Sequence, residues 1–98
     1  MKREEFIFTI GYEGKSAIVN GQALKKYRKL STIELAEKGL YKEALCSAIF
    51  SGSQEEMQSI LSLYNENSGA GYSSPEELKR LFGVFGVPED IAKVNIVS

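Results

Sequence analysis

Residues 33–64 read IELAEKGLYKEALCSAIFSGSQEEMQSILSLY, and the spacing of apolar residues in this stretch decides the fold class. Ile33, Ala36, Leu40, Ala44, Leu45, Ala48 and Ile49 recur in steps that place them on one side of a helix. Gly39 interrupts the run. Glycine inside a helix is unfavourable, but as a C-terminal cap it takes positive φ without a Cβ clash. The stretch therefore predicts one short helix over Thr32–Lys38 and a second over Tyr41–Phe50. Ser51-Gly52 closes the second. Ser53-Gln54-Glu55-Glu56 opens a third with a capping box, in which Ser53 accepts from the Glu56 amide and the Glu56 side chain reaches back. Met57, Ile60, Leu61 and Tyr64 form the apolar stripe of that third helix. Burying each is worth roughly 1.5–3 kcal/mol, so the stripe belongs to the core.

Working outward toward the N-terminus, Phe6 to Tyr12 alternates. Phe6, Phe8, Ile10 and Tyr12 are expected on one face of a strand. Glu13-Gly14-Lys15 supplies a tight turn, and Ser16–Val19 a return strand, giving a β-hairpin. Asn20-Gly21 ends it. Gln22 to Leu30 reads as a short helix with Ala23, Leu24, Tyr27 and Leu30 on its apolar side, and Ser31 or Thr32 caps the helix after it.

Toward the C-terminus, Asn65–Gly71 reads as a loop rich in turn formers. Ser74-Pro75-Glu76-Glu77 opens a fourth clear helix, with Ser74 as N-cap, Pro75 at the first helical position and Glu77 completing a capping box. Leu78, Leu81, Phe82 and Phe85 are its expected stripe. Ile91–Val97 reads as a terminal strand that pairs with the hairpin, since a lone hairpin is marginal in water. The expected fold is α+β: a small antiparallel sheet, made of the N-terminal hairpin and the C-terminal strand, packed on about four short helices in a single domain spanning residues 1–98.

Composition narrows the functional classes. The chain has 98 residues, 43% apolar and 26% charged, which suits one soluble globular core. It has no apolar run long enough to span a membrane and no signal-peptide pattern at its N-terminus. A single cysteine, Cys46, forms no internal disulfide. Together these point to a cytoplasmic protein with no membrane partner. Charge is uneven: residues 1–29 hold seven cations against three carboxylates, residues 43–98 three cations against eight.

Enzyme chemistry is poorly supplied. Without His there is no His-dependent triad, His general base or His-ligated metal. One Cys makes no thiolate zinc site, and a single Asp among 12 Glu leaves no Asp-rich calcium loop. The sequence therefore predicts no metal, no cofactor and no catalytic residue. Gly14-Lys15-Ser16 has the ending of a phosphate-binding loop but lacks the earlier glycine and the following helix. Gly69-Ala70-Gly71 precedes a helix whose first turn carries Glu76 and Glu77, which repel an anion. A DNA-reading helix-turn-helix is disfavoured because the third helix offers Glu55 and Glu56 where phosphates would lie.

Two positive signals remain. Lys25, Lys26, Tyr27, Arg28 and Lys29 combine four cations with one aromatic ring, a pattern able to contact phosphates and stack a base, or to meet an acidic partner. The aromatic-rich hairpin, with Tyr12, offers an edge for a protein partner or for self-association as a dimer. The leading expectation is a small non-catalytic interaction or accessory module, and the alternative is nucleic-acid binding through 25–29.

The segment Leu35-Ala36-Glu37-Lys38-Gly39-Leu40-Tyr41-Lys42-Glu43-Ala44-Leu45 is similar to the helix–helix junction of a tetratricopeptide repeat, through Ala36, Gly39, Tyr41 and Ala44. The likeness covers about a dozen residues. The repeat length of about 34 residues carries Gly39 onto Ser73, where nothing repeats. It implies a local helix hairpin and not a repeat array.

Overall fold

The computed structural model describes Met1–Ser98 as six helices and a three-stranded sheet, an α+β fold. In chain order these are α1 (Arg3–Ile7), β1 (Thr9–Glu13), β2 (Ser16–Asn20), α2 (Gly21–Tyr27), α3 (Thr32–Glu37), α4 (Tyr41–Ser51), α5 (Gln54–Ser68), α6 (Pro75–Phe82) and β3 (Lys93–Val97). No helix is long and apolar enough to cross a membrane.

The central stretch folds as its apolar spacing requires. The Ser31 hydroxyl accepts from the Glu34 amide at 3.2 Å, and the Ser31 amide donates to Glu34 Oε1 at 3.0 Å, so α3 begins in a full capping box. Gly39 ends α3 at φ 82°, with the Leu40 amide bonded back to Leu35 O and the Gly39 amide to Ala36 O. This is the Schellman arrangement, and it turns the chain directly into α4. Ala44 and Ala48 are fully buried on α4, where their small side chains let α1, α3 and α5 approach. Met57, Ile60 and Leu61 are buried on α5, while Tyr64 is partly buried.

Several elements differ from their sequence reading. Phe6 and Phe8 are not in a strand. Residues 3–7 are helical, with the Lys2 amide donating to Glu5 Oε1 at 2.7 Å. Helical geometry lets consecutive Phe6, Ile7 and Phe8 all be buried, whereas an alternating strand buries only one face. Arg3 anchors this helix: its Nη2 donates to Ser47 Oγ at 2.8 Å and to Leu30 O at 3.0 Å, and Ser47 also bonds buried Thr32 at 2.6 Å. Helix α2 ends at Tyr27, short of Leu30, and starts at Gly21 because the Asn20 side chain accepts from the Ala23 amide. Helix α5 continues through Asn65–Ser68, which the sequence reading placed in a loop. Its polar last turn is held by Asn67 Nδ2 on Tyr41 Oη at 2.7 Å and by Asn65 on both backbone groups of Tyr72. Of the two other expected capping boxes, one is half formed and one does not form. Ser53 accepts from Glu56, but the Glu56 carboxylate takes the Ser51 hydroxyl. Ser74 makes no side-chain cap, and Glu77 accepts from Ser73 instead.

The sheet order is β1-β2-β3. β1 and β2 pair antiparallel across a two-residue turn with Gly14 at φ 60°, the geometry of a II′ hairpin. β3 does join the hairpin, but parallel to β2, from Ser16↔Lys93 to Asn20↔Val97. The sheet is thus mixed and not wholly antiparallel. The long helical excursion between β2 and β3 supplies the crossover that parallel pairing needs. Val19 of β2 belongs to a core of 16 buried residues otherwise drawn mainly from the helices, and Ala17, two residues before it, is also fully buried.

Candidate functional site

Strand β1 departs from regular pairing at one point. Thr9 pairs with Val19 and Gly11 with Ile18, so Ile10 is an extra residue in a β-bulge. The bulge breaks the alternation expected of Phe6, Phe8, Ile10 and Tyr12. Phe6 and Phe8 go into the core, while Ile10 is 60% and Tyr12 47% exposed. β1 is also an outer strand of the sheet, with no neighbour on its far side.

Behind this edge lies a cleft of about 360 Å³, within the size range of small binding sites. Buried Phe6 and Cys46 form its base. Residues Thr9–Tyr12 make one wall, and Phe82 at the end of α6 with Gly83–Gly86 after it make the other. Gly83 ends α6 at φ 69° and turns the chain so that Phe85 stands 67% exposed on the rim. The sequence reading put Leu81 and Phe85 on the buried stripe of this helix. Instead the helix stops at Phe82, Leu78 is buried, Phe82 packs edge-on against Tyr64 at 5.6 Å, and Leu81 and Phe85 face outward.

Lys42, half-buried on α4 one turn before Cys46, is the only charged residue lining the cleft. Burial pushes the Tyr12 hydroxyl above its ordinary pKa, against an opposing contribution from the Thr9 side chain and a small reinforcing one from Cys46. Burial also pushes the Cys46 thiol up to about 12, with Lys42 pulling slightly down and Glu43 slightly up. The thiol is therefore protonated and poorly nucleophilic at neutral pH. Nowhere do three His, Cys, Asp or Glu side chains cluster as a metal would need. The cleft offers apolar surface, two hydroxyls and one ammonium. Such a lining matches an apolar side chain in chemistry, and it places no general base beside a nucleophile.

The basic segment lies elsewhere. Lys25, Lys26, Arg28 and Lys29 are exposed at the end of α2 and just beyond it, and none has an acidic partner within ion-pair distance. Lys25 and Lys26 lie in the last turn of α2, where cations favour the helix dipole. Tyr27 packs on the core, and Lys26 Nζ sits 5.2 Å from its ring centroid. The ring face that a base would use is thus partly taken.

Sequence reasoning singled out Tyr12 and the hairpin edge but missed Lys42 and Phe85. A signal for Phe85 was present in Gly83-Val84-Phe85-Gly86, an aromatic between two glycines immediately after a helix. Nothing local marked Lys42, because only the packing of α4 behind β1 brings it to the cleft. No protein-family model matches the chain, and neither does any characterised protein or solved structure compared with it.

Proposed function

We propose that the chain is a non-catalytic protein-interaction module of the cytoplasm, and that its docking face is the open edge of β1 with the cleft behind it. The observation that carries this reading is the grouping of Ile10, Tyr12 and Phe85, three large exposed apolar residues, around one cleft. Large apolar side chains gathered at one place on a surface mark interaction sites far more than the same residues scattered singly. The strand beside them has an unpaired side and contains neither Pro nor Lys, the residues that commonly blunt an edge. An extended segment added there gains main-chain hydrogen bonds from β1 and side-chain pockets from the cleft.

The test is photo-cross-linking in cells with a benzophenone amino acid placed at Tyr12, at Phe85, or at exposed Gln58 on α5 as control. Tyr12 and Phe85 are expected to trap one common partner that Gln58 does not. Equal trapping from all three positions would remove the docking face.

A second reading, nucleic-acid binding through Lys25–Lys29, is favoured by four exposed cations without acidic partners. It requires binding to single-stranded RNA or DNA that weakens steeply with salt and is lost when all four cations become Ala.

A further inference from the structure

We propose that the segment docking on β1 is acidic as well as apolar: an extended stretch of another protein with apolar side chains for the cleft and carboxylates for two cations beside it. This rests on the docking-face reading above and adds the chemistry of the occupant.

Phe85 is shared by two hollows. One is the cleft containing Lys42. The other, of about 350 Å³, is lined besides Phe85 by Glu76, Lys79 and Arg80. Lys79 Nζ is 3.9 Å from Glu76 Oε1, the only ion pair in the molecule, so these two charges offset each other. Lys42 and Arg80 are left, one in each hollow, each without a carboxylate within ion-pair distance. Glu13 and Glu43, the acids nearest in sequence to Tyr12 and Lys42, line neither hollow. The linings of the two hollows thus hold three cations against one carboxylate, on a molecule whose net charge is −1.

Complementary charge steers encounter and rejects partners of the wrong sign. A neutral apolar segment would leave both cations without counter-charge, and a basic one would meet repulsion. Lys42 is partly buried against apolar surface, where its charge is less screened than in bulk water. A second copy of this chain fits less well, since its own open edge is Thr9-Ile10-Gly11-Tyr12-Glu13, with one acid at the end.

The experiment is selection of a random peptide display library on the wild-type protein, followed by affinity measurement with a synthesised winner. Selected peptides are expected to be rich in Asp and Glu between apolar residues. The double variant Lys42→Glu/Arg80→Glu should weaken the winner roughly tenfold or more, and added salt should weaken the wild-type complex. Both substitutions lie on partly or fully exposed positions, and circular dichroism melts of the variants are the check that they fold. Winners without acidic enrichment, whose binding is still lost in Ile10→Asp and Phe85→Asp, would overturn the acidic partner and leave the docking face standing. Winners indifferent to Ile10→Asp and Phe85→Asp would overturn both. A dimer broken by Ile10→Asp, with no peptide selected, would make a second copy the occupant and end the proposal.

Discussion

Cys46 lines the cleft yet is only 2% exposed, and that combination fixes its chemistry. Burial favours the neutral thiol, which raises its pKa to about 12. An unfolded chain has no such protection, and its thiol ionises near the usual value of about 8.5. The folded state thus binds the extra proton over the interval between the two. Its contribution to stability is complete below about pH 8.5 and declines as pH rises from there toward 12. Cys46→Ala removes this titration while keeping a small apolar side chain. The stability advantage of the wild type over Cys46→Ala, measured by urea unfolding, is expected to shrink between about pH 8 and pH 10.5. A constant difference across that range would show that the thiol is not buried as described. The exposed carboxyl of Glu34 behaves in the opposite sense. The Ser31 amide and hydroxyl hold its pKa below the usual value, so its capping contribution is present at neutral pH and is lost only in acid.

At the scale of elements, β3 is the piece whose placement depends most on one small residue. A Cβ on Gly21 would lie 2.8 Å from Val97 O and 2.9 Å from Ile96 Cγ2. The first of these is backbone, so Gly21→Ala must push β3 away from the start of α2. Its cost is expected at about 1–3 kcal/mol, the range for forcing extra volume into a packed site. Gly11→Ala, where a Cβ meets nothing within 4 Å, is the comparison. Thermal unfolding and amide chemical shifts of Val94–Val97 check both. Unchanged β3 shifts in Gly21→Ala would contradict the close packing. The same elements show what was legible in the sequence. Helices α3, α4 and α5 were readable because their caps and apolar spacing are local. The partnership of β3 with the hairpin followed from the instability of a lone hairpin, but its parallel direction did not. Direction is set by where the helices return the chain, a property of no single segment. α1 was misread because Phe6, Ile7 and Phe8 bury as a block, and the group that anchors them is the Arg3 side chain on distant Ser47 and Leu30. The cleft was half legible: Ile10 and Tyr12 lie in the hairpin the sequence announced, whereas Lys42 and Phe85 join them only through tertiary packing.

For the whole molecule, the core is mostly helical and the sheet lies on its flank. From the sheet, only Ala17 and Val19 of β2 and Thr9 of β1 are buried, and β3 buries none of its residues, leaving Ile96 and Val97 exposed. Opening β3 exposes little apolar surface, whereas opening α4 or α5 exposes Leu45, Ile60 and Leu61 and requires global unfolding. Native-state hydrogen exchange should therefore divide the chain. Amides of Leu45, Ala48, Ile60 and Leu61 are expected to exchange only at the free energy of global unfolding, and paired amides of β3 at a lower one. Equal protection in β3 and α5 would mean that sheet and helices unfold as one unit. The outer edge of β1 bears on function in the same experiment. Its amides without a partner in β2 exchange freely in the isolated protein. Addition of a strand at that edge should slow them without slowing β3, because only β1 gains hydrogen-bond acceptors. A bound peptide that protects α2 and leaves Thr9–Glu13 unchanged would place the docking surface elsewhere.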